Sequence, residues 1–465
     1  MRASCTREEE QEKTRPIFLP FLRRGFVAGK TSRFSSQGST RASRAAKAFI
    51  GTTCRVHVSV DEKLFEELSI RIKEARDVLR NVIHRTPLQA SKTLSDLTNS
   101  EVYLKLENLQ KTGAFKVRGA YYKLQKLARS GVKSVVAASS GNHAQGVAYS
   151  ASLLGIKSTI VMPRYTPFYK VNATKSYGAE VVLHGETYDD AYLKALEIAE
   201  KTGSPFVHPF NDPDIIAGQG TIGVEIFEDL SNVDLVLVPV GGGGLISGIA
   251  VALKKLKPDV KVVGVQPRGA PAMYLSFHEK RIVETPQVNS IADGVIVKRP
   301  GDLTLRIMEE FVDDVVLVDD REIARAMFLL LERVKTVAEP AGALSVAALT
   351  SGAVSAEGKR VVAVVSGGNV DPALLVRILG QVLYAEGRQV RIQGVLPDKP
   401  GQLKKVIDVV SELGLNIVEI QHERLNPLLS PGMAQVTLGL EVPSREYADM
   451  LILKLKAQGL DFKVI

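Results

Sequence analysis

The octapeptide GAFKVRGA (residues 113–120) sets one lysine, Lys116, between an aromatic residue and a valine, with small residues close on both sides. A lysine on a solvated helix face needs no such frame. A lysine that acts as a nucleophile does, because its amine must lose its proton and be approached closely by a flat ligand. GGGGLISG (241–248) offers a second kind of chemistry. Successive glycines let backbone N–H groups converge on an anion, next to the positive end of a helix. This run is neither GxGxxG nor a P-loop, and the GKT at 29–31 has Arg24 where a P-loop requires glycine. Both facts argue against the phosphate of a dinucleotide or of ATP. A flexible turn is the alternative, although ordered glycines cost roughly 0.5–1 kcal/mol each relative to alanine. In SGNHAQG (140–146), Ser140, Asn142 and His143 either cap a helix or face a ligand. SGGN (366–369) is unremarkable alone.

The elements around these loops say where they lie. Each loop follows a short apolar run: SVVAASS (134–140), DLVLVPV (234–240) and RVVAVVSGGN (360–369). KSTIVM (157–162), AEVVLH (179–184) and KVVGVQ (261–266) are similar, EVYLKLE (101–107) alternates as a strand, and helical stretches separate them. Strands buried on both faces and alternating with helices predict an α/β protein with a largely parallel sheet. Such sheets bind ligands outside the carboxyl ends of their strands, where these loops fall. Leu64, Leu68, Ile72, Ala75, Leu79 and Val82 are spaced as an amphipathic helix over 61–82. Past Glu386 the rhythm becomes strand, helix, strand, strand, helix, strand, a compact βαββαβ unit. The expected domains are therefore 60–386 and 387–465.

The chain of 465 residues carries a net charge of +9. Residues 1–60 hold 12 Lys/Arg against 4 Glu, so the body is left near +1 and offers phosphate backbones no electrostatic footprint. No nucleic-acid partner is expected. No apolar run approaches the ~18 residues of a membrane helix, so no membrane span is expected either. Cys5 and Cys54 are the two cysteines, which excludes a disulfide framework or thiolate metal site in the body. Residues 1–59 form a basic leader, read either as a disordered or spurious extension or as an organelle transit peptide. The expected location is cytoplasmic, with organelle import if the leader is a transit peptide.

Taken together, the lysine in GAFKVRGA, SGNHAQG, the tetraglycine loop and SGGN, in that order, resemble the fold-type II (tryptophan synthase β-like) pyridoxal 5'-phosphate enzymes. The nearest resemblance is to threonine ammonia-lyases with one C-terminal ACT-like domain, and it covers roughly residues 60–465. The resemblance implies a two-lobed catalytic region in which Lys116 holds the cofactor aldehyde and later acts as general base. It puts Phe115 near the ring, Asn142 at the ring hydroxyl, and Gly241, Gly242, Gly243, Gly244 and Leu245 around the phosphate. Ser366 would face the pyridine nitrogen. Ser139, Ser140, Gly141, Asn142 and His143 would bind the substrate carboxylate, with Ser140 on the face opposite the lysine. The implied reaction turns L-threonine into 2-oxobutanoate and ammonia, and L-serine into pyruvate, in isoleucine biosynthesis or threonine catabolism.

Serine racemases of this fold bind a divalent metal through an acidic pair, and the matching positions here are Gln266 and Ala272. Hard cations need carboxylate oxygens, so no metal is expected. An amino-acid racemase of the same fold and a silent amino-acid sensor are the rival readings. In the C-terminal unit, Asp398, Pro400 and Gly401 of PDKPGQL (397–403), with Asn416, match the ACT ligand loop and the strand that pairs with it. This implies an amino-acid effector bound between paired domains, isoleucine or valine if the enzyme opens branched-chain synthesis; a ligand-free oligomerisation module is the alternative. A homo-oligomer, tetramer or dimer, is implied.

Overall fold

The computed structural model describes residues 60–465. The expectations for the leader, with Cys5 and Cys54, lie outside the described residues. Nine strands come first: β1 (Leu88–Ala90), β2 (Glu101–Leu106), β3 (Ser134–Ala138), β4 (Lys157–Met162), β5 (Glu180–Leu183), β6 (Leu235–Pro239), β7 (Lys261–Pro267), β8 (Asp314–Val318) and β9 (Arg360–Val365). They divide into two sheets. The larger runs β1-β2-β9-β6-β7-β8 and is parallel except for β1, which pairs antiparallel with β2 at one edge. Strands β3-β4-β5 form a separate parallel sheet.

The apolar runs explain which strands are central. All of β6 and all of β9 but Arg360 are buried, as a strand covered on both faces must be. β5, at the edge of the small sheet, is partly exposed along its whole length. β8 escapes the sequence pattern because four aspartates, Asp313, Asp314, Asp319 and Asp320, enclose its apolar core. The first helix spans Val60–Leu79, and it stops short of Val82, whose N–H turns back to the Leu79 carbonyl.

After helix Pro372–Ala385 come β10 (Gln389–Pro397), β11 (Asn416–Glu423), β12 (Met433–Glu441) and β13 (Phe462–Val464). They form an antiparallel sheet ordered β11-β12-β10-β13. Along β10 burial alternates, and Ile392 and Leu396 pack with Val406 and Val409 of helix Gln402–Glu412 and Leu451 and Leu455 of helix Arg445–Ala457. One face is thus covered by two helices, the βαββαβ arrangement. Among the described residues no helix is long and apolar enough to cross a membrane.

Candidate active site

One cavity of about 880 Å³ gathers the residues that the loops of the body promised. Phe115 and Lys116, Ser139 to His143, Gly241 to Leu245, and Ser366 all line it. The three loops leave the carboxyl ends of β3, β6 and β9. β3 belongs to the small sheet and the other two to the large one, so the cavity lies between the lobes.

Lys116 opens helix Lys116–Arg129, and its Nζ donates to the Pro209 carbonyl at 2.9 Å. Burial pulls its pKa down to about 8, although the nearby Glu339 carboxylate opposes the shift. The small residues around it serve a purpose other than ligand access. Gly113 has φ +71°, and its carbonyl accepts the Gly368 N–H at 2.8 Å, which laces the lysine loop to SGGN. Gly119 meets helix Pro213–Asp229: a Cβ there would stand 2.6 Å from the Ile215 carbonyl oxygen. Without those two glycines neither the turn nor the helix contact could form as it does.

The helix-cap alternative for SGNHAQG is not realised. Gly141 is the N-cap of helix Asn142–Leu154 and makes no side-chain cap bond, while Ser139 Oγ accepts the Gly141 N–H at 3.2 Å. The Asn142 amide donates to Glu339 at 2.6 Å. His143 is buried, and burial, with Lys116 adding to it, lowers its pKa to about 3, so the ring is neutral. Its Nε2 lies 3.0 Å from the Val207 carbonyl and therefore carries the hydrogen, which leaves Nδ1 an acceptor. The ring offers a carboxylate no donor; the N–H groups at the start of the helix do.

Sequence reasoning missed Glu339, Asn369, Phe210 and His208, which line the same cavity. Glu339 left one signal: it is the only charged residue between Lys335 and Glu357. His208 Nδ1 accepts the N–H groups of Phe210 and Asn211, at 3.2 and 2.8 Å, and fixes the turn that carries the acceptor of Lys116.

The four C-terminal residues are not brought together within one chain. Pro397, just before Asp398, pairs with Met433, whereas Asn416 pairs with Glu441 at the other end of β12. Eight residue-to-residue steps of β12 separate those ends, about 26 Å at ~3.3 Å per step. Asn416 also donates to Glu441 at 3.0 Å, and Asp398 pairs with Arg424 at 3.1 Å.

A model of the family described as "Pyridoxal-phosphate dependent enzyme" matches residues 79–367, which hold all of the cavity wall except Asn369 and Val370. The chain belongs to this family. It is similar to an L-threonine ammonia-lyase of Thermotoga maritima, at 48% identity over 85% of this chain and 98% of that protein. Among solved structures it is similar to the processed form of threonine deaminase isoform 2 from Solanum lycopersicum, with TM-score 0.65, 38% identity, and 69% of this chain and 88% of that one covered. A maize serine racemase is similar too, with TM-score 0.64, 37% identity, and coverage of 68% and 98%. The fold is that of a fold-type II pyridoxal-phosphate enzyme, as the four loops implied, and the cofactor is pyridoxal phosphate.

The residues present fit that cofactor. Gly243 has φ +94° and leads into helix Gly244–Leu256, whose first N–H groups lack intrahelical partners. Phe210 lies against this loop so closely that a Cβ at Gly242 would overlap its ring and one at Gly244 would come within 2.9 Å of its Cβ. Only glycine leaves the backbone N–H groups bare beside that wall. The Ser366 hydroxyl, on a residue 3% exposed, makes no hydrogen bond among the described residues and faces the cavity free to meet a ring nitrogen.

Proposed function

We propose that this chain deaminates L-threonine to 2-oxobutanoate and ammonia, and L-serine to pyruvate. The observation that carries the reading is the convergence, in one cavity, of a lysine with a depressed pKa, a bare glycine cradle and the Ser139–Ser140 turn. The relatives' printed activities point the same way. When bound, the cofactor supplies an aldehyde and an electron-withdrawing ring that ease loss of the substrate's Cα proton and β-hydroxyl.

Everything else falls to the chain. Gly241 to Leu245 hold the phosphate with peptide N–H groups, Phe115 packs near the ring, and Asn142 offers Nδ2–H to the ring oxygen. Ser139, Ser140 and the N–H groups from Gly141 to His143 hold the substrate carboxylate. Lys116 binds the aldehyde and, once displaced, takes the Cα proton on a neutral Nζ. A hydroxyl at the ring nitrogen, from Ser366, does not favour a protonated ring as a carboxylate would. By leaving the ring unprotonated, Ser366 would weaken the electron sink, which would favour expulsion of the β-hydroxyl over return of the proton.

A second reading, racemisation, rests on Ser140 lining the cavity that holds Lys116. Against it, Gln266 Oε1 accepts the Tyr274 N–H at 2.8 Å, and Ala272 offers no side-chain ligand, so the racemases' metal pair has no counterpart. The deciding assay gives cofactor-loaded full-length protein L-threonine, L-serine and D-serine without added divalent metal. Release of 2-oxobutanoate and pyruvate is expected. Interconversion of serine enantiomers without keto acid would overturn the lyase reading.

The Lys116 pKa makes a separate prediction. Cofactor uptake by stripped protein should accelerate as pH rises through about 8, where the amine becomes neutral. An ordinary lysine would place that limb near ~10.4. Stopped-flow absorbance across pH 6–10 reads it. The C-terminal unit is further read as an effector module in a dimer or tetramer, because Asp398 and Asn416 can share one ligand only if a second copy brings the missing half.

A further inference from the structure

Glu339 has no part in the chemistry described so far, yet it is one of the most constrained groups in the cavity. It is 5% exposed, sits before helix Pro340–Thr350, and its backbone N–H donates to the Gly367 carbonyl at 3.0 Å. A Cβ at Gly367 would collide with its Oε1, so SGGN carries glycine there to admit this carboxyl.

The hydrogen bonds around it have only one consistent polarity. The Thr112 carbonyl can only accept, and it lies 2.8 Å from Asn369 Nδ2, so that atom is the amide nitrogen. The same nitrogen lies 2.8 Å from Asn142, which must present its oxygen there. The nitrogen of Asn142 then faces Glu339 at 2.6 Å and has one hydrogen left. A backbone carbonyl thus fixes the orientation of two amides in series, and Glu339 receives the end of the chain as an acceptor.

We propose that Glu339 is a positioning residue, whose carboxylate holds the Asn142 amide so that its second N–H meets the cofactor's ring oxygen. The inference rests on the reading that Asn142 faces that oxygen. Protonation of Glu339 turns a charge-assisted bond into a neutral one and loosens the amide. Burial, and then Asp293, push the Glu339 pKa up to about 7, against the pull of Asn142, Lys170 and Lys116. Those are the charged groups around it: Lys116 on helix Lys116–Arg129, Lys170 on helix Phe168–Ser176, and Asp293 at the turn Asp293–Val295, with Tyr169 beside Lys170. The grip on Asn142 is therefore present above about pH 7 and lost as pH falls through it.

The test compares Glu339→Gln, Glu339→Asp, Asn142→Ala and the Asn142→Ala/Glu339→Gln double variant as full chains. The readouts are the visible spectrum of bound cofactor from pH 5.5 to 9, cofactor affinity by equilibrium titration, and kcat/KM at pH 8. In the wild type the spectrum should shift near pH 7, and in Glu339→Gln that shift should vanish with kcat/KM about tenfold lower. Glu339→Asp keeps the charge but not the reach, so it should weaken cofactor binding while retaining a pH-dependent spectrum. The double variant should be no worse than Asn142→Ala alone. A wild-type spectral transition and affinity in Glu339→Gln, with both altered in Asn142→Ala, would overturn the inference while sparing the reading it rests on. An unaltered spectrum in Asn142→Ala would remove that reading and the inference with it. Should Glu339→Gln fail to fold, Glu339→Asp decides, since a merely structural carboxylate would leave its affinity and spectrum as in the wild type.

Discussion

Lys116→Ala should abolish keto-acid release and leave a folded protein, with kcat lower by at least about a thousandfold. The neighbouring imidazoles are poor substitutes as proton acceptors, and the Glu339 carboxylate is already engaged by the Asn142 amide at 2.6 Å. His143 and His208 are the nearby bases, and burial lowers their pKa values to about 3 and 4, so each is a weak acceptor. The stability of the cofactor-free protein separates chemical loss from unfolding. The Lys116 pKa is depressed to about 8 in the folded chain, against an ordinary value of ~10.4 when unfolded. Between those values the unfolded chain binds more protons, so stability rises with pH, and below about 8 the folded state bears the full cost of an ammonium in the cavity. Alanine removes that cost. Cofactor-free Lys116→Ala should therefore melt at or above the wild-type temperature at pH 7, with the difference shrinking as pH rises past about 8. Calorimetry at pH 7 and 9.5, beside an assay of 2-oxobutanoate, checks both halves. A variant that is inactive because it melts earlier would remove the evidence for the catalytic role.

The loops around Lys116 were legible because each is a local event, an apolar run, then glycine and serine, then a helix, with all three partners adjacent in sequence. What was not legible depends on distance along the chain. Glu339 meets Asn142 across 197 residues, and nothing in the sequence near either predicts the other. The division into two sheets was implied only by resemblance, since β3, β4 and β5 read like any other buried run, and pairing partners are chosen by packing. The purpose of small residues was misread for the same reason. Gly119 next to a reactive lysine suggests access, but what fills its missing Cβ is a helix beginning at Pro213. In the C-terminal unit the elements and their order follow from alternation, but register does not, and register sets Asp398 and Asn416 at opposite ends of β12.

Arg118→Ala should be the most destabilising single change in the catalytic region. The arginine is fully buried two residues after Lys116, and it joins three elements. Its Nε and Nη2 donate to Glu107 at 2.8 Å each, and its Nη1 and Nη2 donate to Glu225 at 2.7 and 3.0 Å. Nη1 also reaches Thr221 at 3.1 Å. Lys105, on β2, completes the cluster with bonds to Glu225 at 2.6 Å and to the Thr86 carbonyl at 2.7 Å. Burial alone would lower the Arg118 pKa, but the carboxylates of Glu107 and Glu225 outweigh it and raise the value, so the guanidinium stays charged. Two cations thus balance two anions in a buried site. Removing Arg118 leaves two buried carboxylates with one lysine, a loss of about 3–5 kcal/mol for breaking such a cluster. Lysine would not rescue it, because one ammonium cannot span both carboxylates as the planar fork does. The cluster also ties the first turn of the Lys116 helix to helix Pro213–Asp229, which continues from the segment holding Pro209 and Phe210. Loosening it moves the lysine relative to its own acceptor, so cofactor affinity should fall along with stability. Chemical denaturation and cofactor titration of Arg118→Ala and Arg118→Lys measure both. The account fails if Arg118→Lys matches the wild type in each, because a single point charge would then suffice where the geometry calls for a bidentate fork.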